Sequence, residues 1–296
     1  MQKLGRLMLA WFTKFWVPLA ITVGMLAVAV SVTTVMLYKQ QITVQIPNLT
    51  LRENRGVTST PISVLKQGEH LQILQENDGW YQVRREDEST GWVASWLLER
   101  TKPLDKVTPL SEATIVLDPG HGGNDPGAES NSGKFEKTYT LLLAQQVAKT
   151  LRATGARVIM TRDSDKLVYL SQIPKVAENA NADAFISFHF DSVTEANGAS
   201  GYTAYYYHKE NGSKDLAQAL NDAMKPNMPL ENRGVEKAEY VVLIDNKVPA
   251  ALLENGYINS DRDFKKIKSP AYRTLIAQDV AQGLETYFDN RVKTVN

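Results

Sequence analysis

The 296-residue chain contains no cysteine. That absence excludes disulfides, thiolate metal sites and a cysteine nucleophile together. Histidine is scarce as well, with only His70, His121, His189 and His208. Net charge is missing too: 33 Lys and Arg balance 33 Asp and Glu. No overall basic field therefore favours nucleic acid, and no nucleic-acid motif is present. The balance conceals an asymmetry. Lys3, Arg6, Lys14 and Lys39 are the only charges among the first 40 residues; removing them from the 33 leaves 29 basic against 33 acidic residues beyond. What remains is ordinary for a globular protein, with 43% hydrophobic and 22% charged residues, and the length suits two domains.

Charge is also absent from Phe15 to Tyr38, 24 residues rich in Val, Ala, Leu, Ile and Met. About 20 residues of helix already cross a hydrocarbon core of roughly 30 Å. Lys3, Arg6 and Lys14 precede the run, and Trp11 and Trp16 sit where interfacial aromatics belong. The positive-inside rule then keeps residues 1–14 cytoplasmic and places everything after Lys39 outside. The run exceeds a signal-peptide core and has no clear cleavage site, so a retained single-pass anchor over 15–38 is expected.

Residues 42–100 read as short strands: Gln72-Ile73-Leu74, Trp80-Tyr81-Gln82-Val83-Arg84 and Gly91-Trp92-Val93 alternate with period two. Asn77-Asp78-Gly79 is a turn signal between two of them. These segments, with Leu49-Thr50-Leu51-Arg52 and Val64-Leu65-Lys66-Gln67-Gly68-Glu69, resemble a bacterial SH3 domain. Such modules bind peptidoglycan, so the resemblance implies wall targeting. Trp80 and Trp92 themselves read as packing residues of a small barrel. Residues 101–112, with Pro103 and Pro109 among polar neighbours, read as a linker.

From Ala113 the pattern becomes strands alternating with helices, the mark of an α/β sheet with covered faces. Expected strands are Thr114–Asp118, Arg157–Thr161, Ala184–Phe188, Tyr240–Ile244 and Ala250–Leu253. Expected helices are Lys137–Thr154, Asp215–Lys225 and Ala271–Phe288. On that map His121 lies just past the first strand and Glu136 opens the first helix. His189 and Glu254 each follow a strand end. Ligands of open α/β sheets bind outside the carboxyl ends of strands, so four residues spread over more than 130 positions can converge on one rim. A strand-end histidine taken singly is more often structural; the combination is what carries the reading. Two His and one Glu, here His121, His189 and Glu136, form a three-ligand set for catalytic zinc with water in the fourth position. Glu254 is then placed as general base, taking the water's proton and returning it to a leaving nitrogen.

The same stretch resembles the zinc-dependent N-acetylmuramoyl-L-alanine amidases. The matching residues are Ile115-Val116-Leu117-Asp118-Pro119-Gly120-His121-Gly122-Gly123, Asp125-Pro126-Gly127-Ala128, Glu136-Lys137, Thr161-Arg162-Asp163 and Ile186-Ser187-Phe188-His189. Gly201-Tyr202, Arg233-Gly234-Val235 and Leu253-Glu254-Asn255-Gly256-Tyr257-Ile258-Asn259 complete the series. The resemblance puts His121, Glu136 and His189 on the zinc ligands and Glu254 on the catalytic glutamate. Departures are Ile173-Pro174 and Glu178 before the second histidine, Phe190-Asp191 after it, and Tyr257. Pro174 should shorten or bend its helix. The segment between His189 and Glu254 is already filled by recognisable elements, so no helix plugging the metal site is expected. Asp118 either orients an imidazole or fixes its turn, and Arg233 either holds a substrate carboxylate or braces a loop. His70 and His208 read as surface residues and Tyr205–Tyr207 as a half-buried strand.

The expected molecule is an α/β enzyme with a mostly parallel twisted sheet over 113–290, preceded by an SH3-like barrel and one transmembrane helix. The implied activity is cleavage of the amide between the lactyl group of N-acetylmuramic acid and L-alanine, in wall remodelling or cell separation. The cofactor is Zn2+, the partners are peptidoglycan and the membrane, and the site is extracytoplasmic. A non-catalytic wall binder and a metallopeptidase cutting within the stem peptide are the alternatives. Whether a protein activator is needed is not legible.

Overall fold

The computed structural model describes residues 2–102 and 104–295; Pro103 of the expected linker lies outside the described residues. Helix α1 (Gln2–Lys39) opens the chain. It is the one helix, among the described residues, long and apolar enough to cross a membrane, with mean hydropathy 2.2 over Thr13–Val32 and no part of that stretch buried. The hydroxyls of Thr22 and Ser31 donate back to the carbonyls of Pro18 and Ala27. Their polar hydrogens are thereby satisfied within the helix, as an apolar surrounding demands.

Strands β1 (Gln41–Thr43), β2 (Leu49–Arg52), β3 (Pro61–Leu65), β4 (His70–Asn77), β5 (Trp80–Arg84) and β6 (Thr90–Ala94) form an antiparallel sheet in the order β1-β4-β5-β6-β2-β3, closed by α2 (Ser95–Leu98). The β4–β5 turn holds Asp78 and Gly79 at φ 51° and 80°. Two successive left-handed residues give the hairpin the twist its strands require. Trp80 is buried in this core with Leu51, Val83 and Val93, while Trp92 is half-buried beneath the Arg55 guanidinium.

The second sheet has the order β11-β10-β12-β9-β7-β8, from β7 (Thr114–Pro119), β8 (Arg157–Met160), β9 (Ala184–Asp191), β10 (Tyr202–Tyr206), β11 (Asn232–Lys237) and β12 (Ala250–Tyr257). Every neighbouring pair is parallel except β10 with β12. Side chains along a strand alternate between faces. Ile115, Leu117, Ile186 and Leu253 therefore pack under α3 (Glu136–Ala153), α5 (Ser213–Met224) and α8 (Pro270–Val295). Val116, Phe185 and Leu252 face α4 (Ile173–Asn179) and α6 (Val241–Ile244). A short α7 (Asp261–Ile267) follows β12, capped by Ser260.

Two expectations change in detail, and two further segments take a definite form. Tyr240–Ile244 is not a strand. β12 already has β9 and β10 on its two sides, and the Asn246 side chain closes a helical turn by donating to the Val242 carbonyl. His189 and Glu254 do not end their strands: β9 runs to Asp191, and β12 continues to Tyr257 through an irregularity after Glu254. Helix α4 begins at Ile173 with Pro174 in its first turn, where a missing N–H costs nothing, and is thus shortened rather than bent. The segment before β7 is not a free tether. Val107, Leu110, Ser111 and Glu112 are buried, Glu112 pairs with the buried Arg52 of β2, and Trp96 donates to the carbonyls of Ser111 and Gly155. Asp183 beside β9 accepts from Val57 and Thr114, one amide from each sheet region.

Candidate metal centre and active site

The chain leaves β7 at Pro119 and turns sharply. His121 itself adopts φ 64°, and Gly122 and Gly123 follow at positive φ. The bend is close enough to β9 that a Cβ on Gly120 would fall 2.1–2.6 Å from the His189 ring. Arg162, almost wholly buried, braces this loop by donating to the carbonyls of Pro119, Gly120 and Lys137 and to Thr140 Oγ1. Asp118 touches neither histidine. Its carboxylate accepts from Thr161 and Ser187 and so ties β7 to the end of β8 and to β9.

Within this frame His121 Nε2 lies 3.0 Å from Glu136 Oε2, and His189 Nδ1 lies 3.0 Å from Glu136 Oε1. The two imidazoles stand edge to face, ring centroids 4.9 Å apart. The three side chains offer donor atoms within 4.8 Å of one another and can hold a metal ion. Glu136 is buried at the first turn of α3, where the helix dipole favours a carboxylate. Backbone amides of Ala128 and Phe190 also donate to it. Burial would lift its pKa, but the hydrogen bonds and charges of the two histidines outweigh that and hold it well below the usual carboxylate range. Burial likewise opposes charge on His121, yet Glu136 and then Asp125 raise it to about 9. Asp125 Oδ2 sits 2.9 Å from His121 Nδ1, which turns Nε2 toward the other ligands. A carboxylate behind a ligating imidazole is the usual outer support of a metal-binding histidine.

Glu254 lies directly across from His189 in the β12–β9 register. It is buried, and its Oε2 has no hydrogen-bond partner among the described residues. Burial first, then the nearby charges of Glu136 and Asp191, push its pKa well above the usual carboxylate range. A cavity of about 500 Å³ opens against His121 and His189 on the β8 side, lined further by Leu167, Leu170, Ile173 and Val242. On the β11 side, Arg233 projects over the Tyr257 ring at 5.5 Å. His208 bonds the Ile244 carbonyl and His70 the Thr43 hydroxyl, both away from the trio. In the sequence Arg162 and Asp125 stand only as members of the matching motifs. The signal for Asp125 is its spacing, four residues from His121.

An open α/β sheet that gathers two imidazoles and two carboxylates at one rim is the ground plan of a hydrolase able to hold a metal ion. Residues 115–286 match the family described as N-acetylmuramoyl-L-alanine amidase, and residues 47–99 match the bacterial SH3 domain. The chain belongs to the N-acetylmuramoyl-L-alanine amidase family. It is 37% identical over 254 residues to the probable cell wall amidase LytH of Staphylococcus epidermidis, covering 82% of this chain and 84% of that one. It is 36% identical over 258 residues to LytH of Staphylococcus aureus, covering 81% and 84%. Among solved structures, the amidase of Clostridium difficile 630 superposes with TM-score 0.58 at 31% identity, covering 60% of this chain and 97% of that chain. AmiC2 of Nostoc punctiforme gives 0.57 at 34%, with the same coverage. The protein is an amidase of this family.

Proposed function

We propose that the protein hydrolyses the amide joining the lactyl group of N-acetylmuramic acid to L-alanine in peptidoglycan, with His121, Glu136 and His189 holding zinc and Glu254 as general base. The observation that carries this is the pairing of Glu254 with His189 across adjacent strands, which sets a buried carboxylate beside the ligand trio. The donor set suits zinc: two nitrogens and one oxygen lie within 4.8 Å of one another, and the Asp125 support favours one tautomer of His121. Bound there, zinc supplies Lewis acidity, polarising the amide carbonyl and making water at its open position more acidic. Glu254, with its raised proton affinity, accepts the water's proton and delivers it to the departing alanine nitrogen. Glu136 keeps both imidazoles aimed, and Arg162 holds the turn that carries His121.

In the same reading residues 1–14 are cytoplasmic, 15–38 a retained anchor, 42–100 the SH3-like module, 101–112 a connecting segment and 113–290 the catalytic domain, acting at the wall in its remodelling. The test uses the full chain in detergent micelles with zinc and purified peptidoglycan, read by mass spectrometry, with Glu254→Gln alongside. Free peptides beginning with alanine, released by wild type alone, are the expected result. Shortened peptides still attached to sugar would establish a peptidase instead. Absence of any product from a metal-loaded protein would leave a wall-binding role.

A further inference from the structure

The geometry points to Arg233 as the residue that selects the stem peptide, by binding a free carboxylate on the residue that follows alanine. This deepens the proposed amidase reading and rests on it. Arg233 is exposed and has no ion-pair partner among the described residues. It is nevertheless held in place. Its stem passes over Gly201, where a Cβ would come within 3.0–3.1 Å of its Cγ and Cδ. Its guanidinium lies 5.5 Å from the Tyr257 ring centroid and donates to the Ser200 carbonyl at 3.4 Å. A guanidinium stacked on a ring keeps most of its donors free for a planar anion.

Register gives the distance. Thr203 of β10 faces Glu254 on one side, and the β11 irregularity containing Arg233 on the other. Two strand spacings of about 4.8 Å put the Arg233 backbone roughly 10 Å from that of Glu254. An extended peptide advances at most about 3.6 Å per residue. A carboxylate on the second residue past the scissile nitrogen therefore comes within the arginine's reach.

The two flanks of the cleft also differ in kind. On the β8 side stand the exposed Leu167, Tyr169 and Leu170, with Asp118 and Asp125 at the cavity wall. That apolar flank suits the neutral acetylated sugar, whose own carboxyl group is consumed in the scissile amide. On the β11 side Asp191 faces the Tyr257 hydroxyl, and the Arg233 guanidinium stands over the ring of the same tyrosine. The peptide arm thus runs over β10 and β11, the sugar arm over β7 and β8.

The residue after alanine in the stem is a γ-linked glutamate whose α-carboxyl group occurs as free acid or as amide, and the two forms make a matched probe pair. Disaccharide pentapeptides of each form are offered to the full zinc-loaded chain in detergent. Wild type is expected to favour the acid by about tenfold in kcat/KM, carried mainly by KM, the effect of one solvent-bordered charge-assisted contact. Arg233→Met should bring the ratio close to one, and Arg233→Lys should restore part of it. Calorimetric binding of both ligands to Glu254→Gln protein should show the same discrimination, abolished by adding Arg233→Met. Equal handling of the two by wild type, or an equal fall on both in Arg233→Met, would overturn the assignment and mark Arg233 as a loop brace. If wild type cuts neither ligand nor intact peptidoglycan yet Glu254→Gln protein binds the acid tighter, the amidase reading fails while carboxylate recognition stands.

Discussion

Glu136 governs the chemistry of its neighbours. Without a metal, the shared hydrogen bonds make a charged His121 comfortable up to about pH 9. A group whose folded pKa exceeds its unfolded value of 6.5 contributes stability that is complete below 6.5 and lost as pH rises through the folded value. The metal-stripped protein should therefore lose thermal stability between about pH 6.5 and 9. Zinc at the proposed site would have to displace the same proton, so its affinity should climb across that window. Scanning calorimetry with and without chelator, at a series of pH values, checks both halves. Asp125→Asn should flatten the slope and weaken zinc binding by roughly 10–100-fold, read by competition with a chromogenic chelator. Glu136→Gln should leave the folded protein with little bound metal on elemental analysis.

At the scale of elements, the β7–α3 connection does most to define the site. Gly120 is buried just past β7, outside any helix, and in Gly120→Ala the new Cβ has no space beside the His189 ring, which must move. Zinc stoichiometry should fall sharply while far-ultraviolet dichroism stays near wild type. This loop also shows what a linear reading can reach. Ile115-Val116-Leu117 and Phe185-Ile186 announced buried strands by their apolar runs; His121, His189 and Glu254 stood out because each follows such a run, and Glu136 because it opens the first helix. Arg162 did not stand out, because its buried hydrogen bonds go to carbonyls, which every residue possesses. Tyr240–Ile244 misled for a different reason. Its β-branched residues fit a strand, but strand identity depends on the partner a segment meets in the fold, a property of the whole topology rather than of five residues.

At the scale of the molecule, the two sheet regions share a buried interface. Arg52 and Glu112 lie within it as a pair, both almost fully enclosed. Removing one charge strands the other, a loss of about 3–5 kcal/mol. Glu112→Gln should lower the melting temperature by several degrees, and calorimetry of the wild type should show the SH3-like and amidase regions unfolding in one transition. Buried Asp183, raised to about 6 by burial despite amides from both regions, adds a second dependence. Its folded pKa exceeds its unfolded value of 3.8, so the joined form weakens as pH rises from about 3.8 to 6 and changes little above. Gln40 alone separates α1 from β1. Were α1 embedded in a bilayer, as proposed, so short a leash would convert the enzyme's search from three dimensions to two: it would patrol a layer of nearly constant altitude, and polymer lying farther out would be spared by geometry alone.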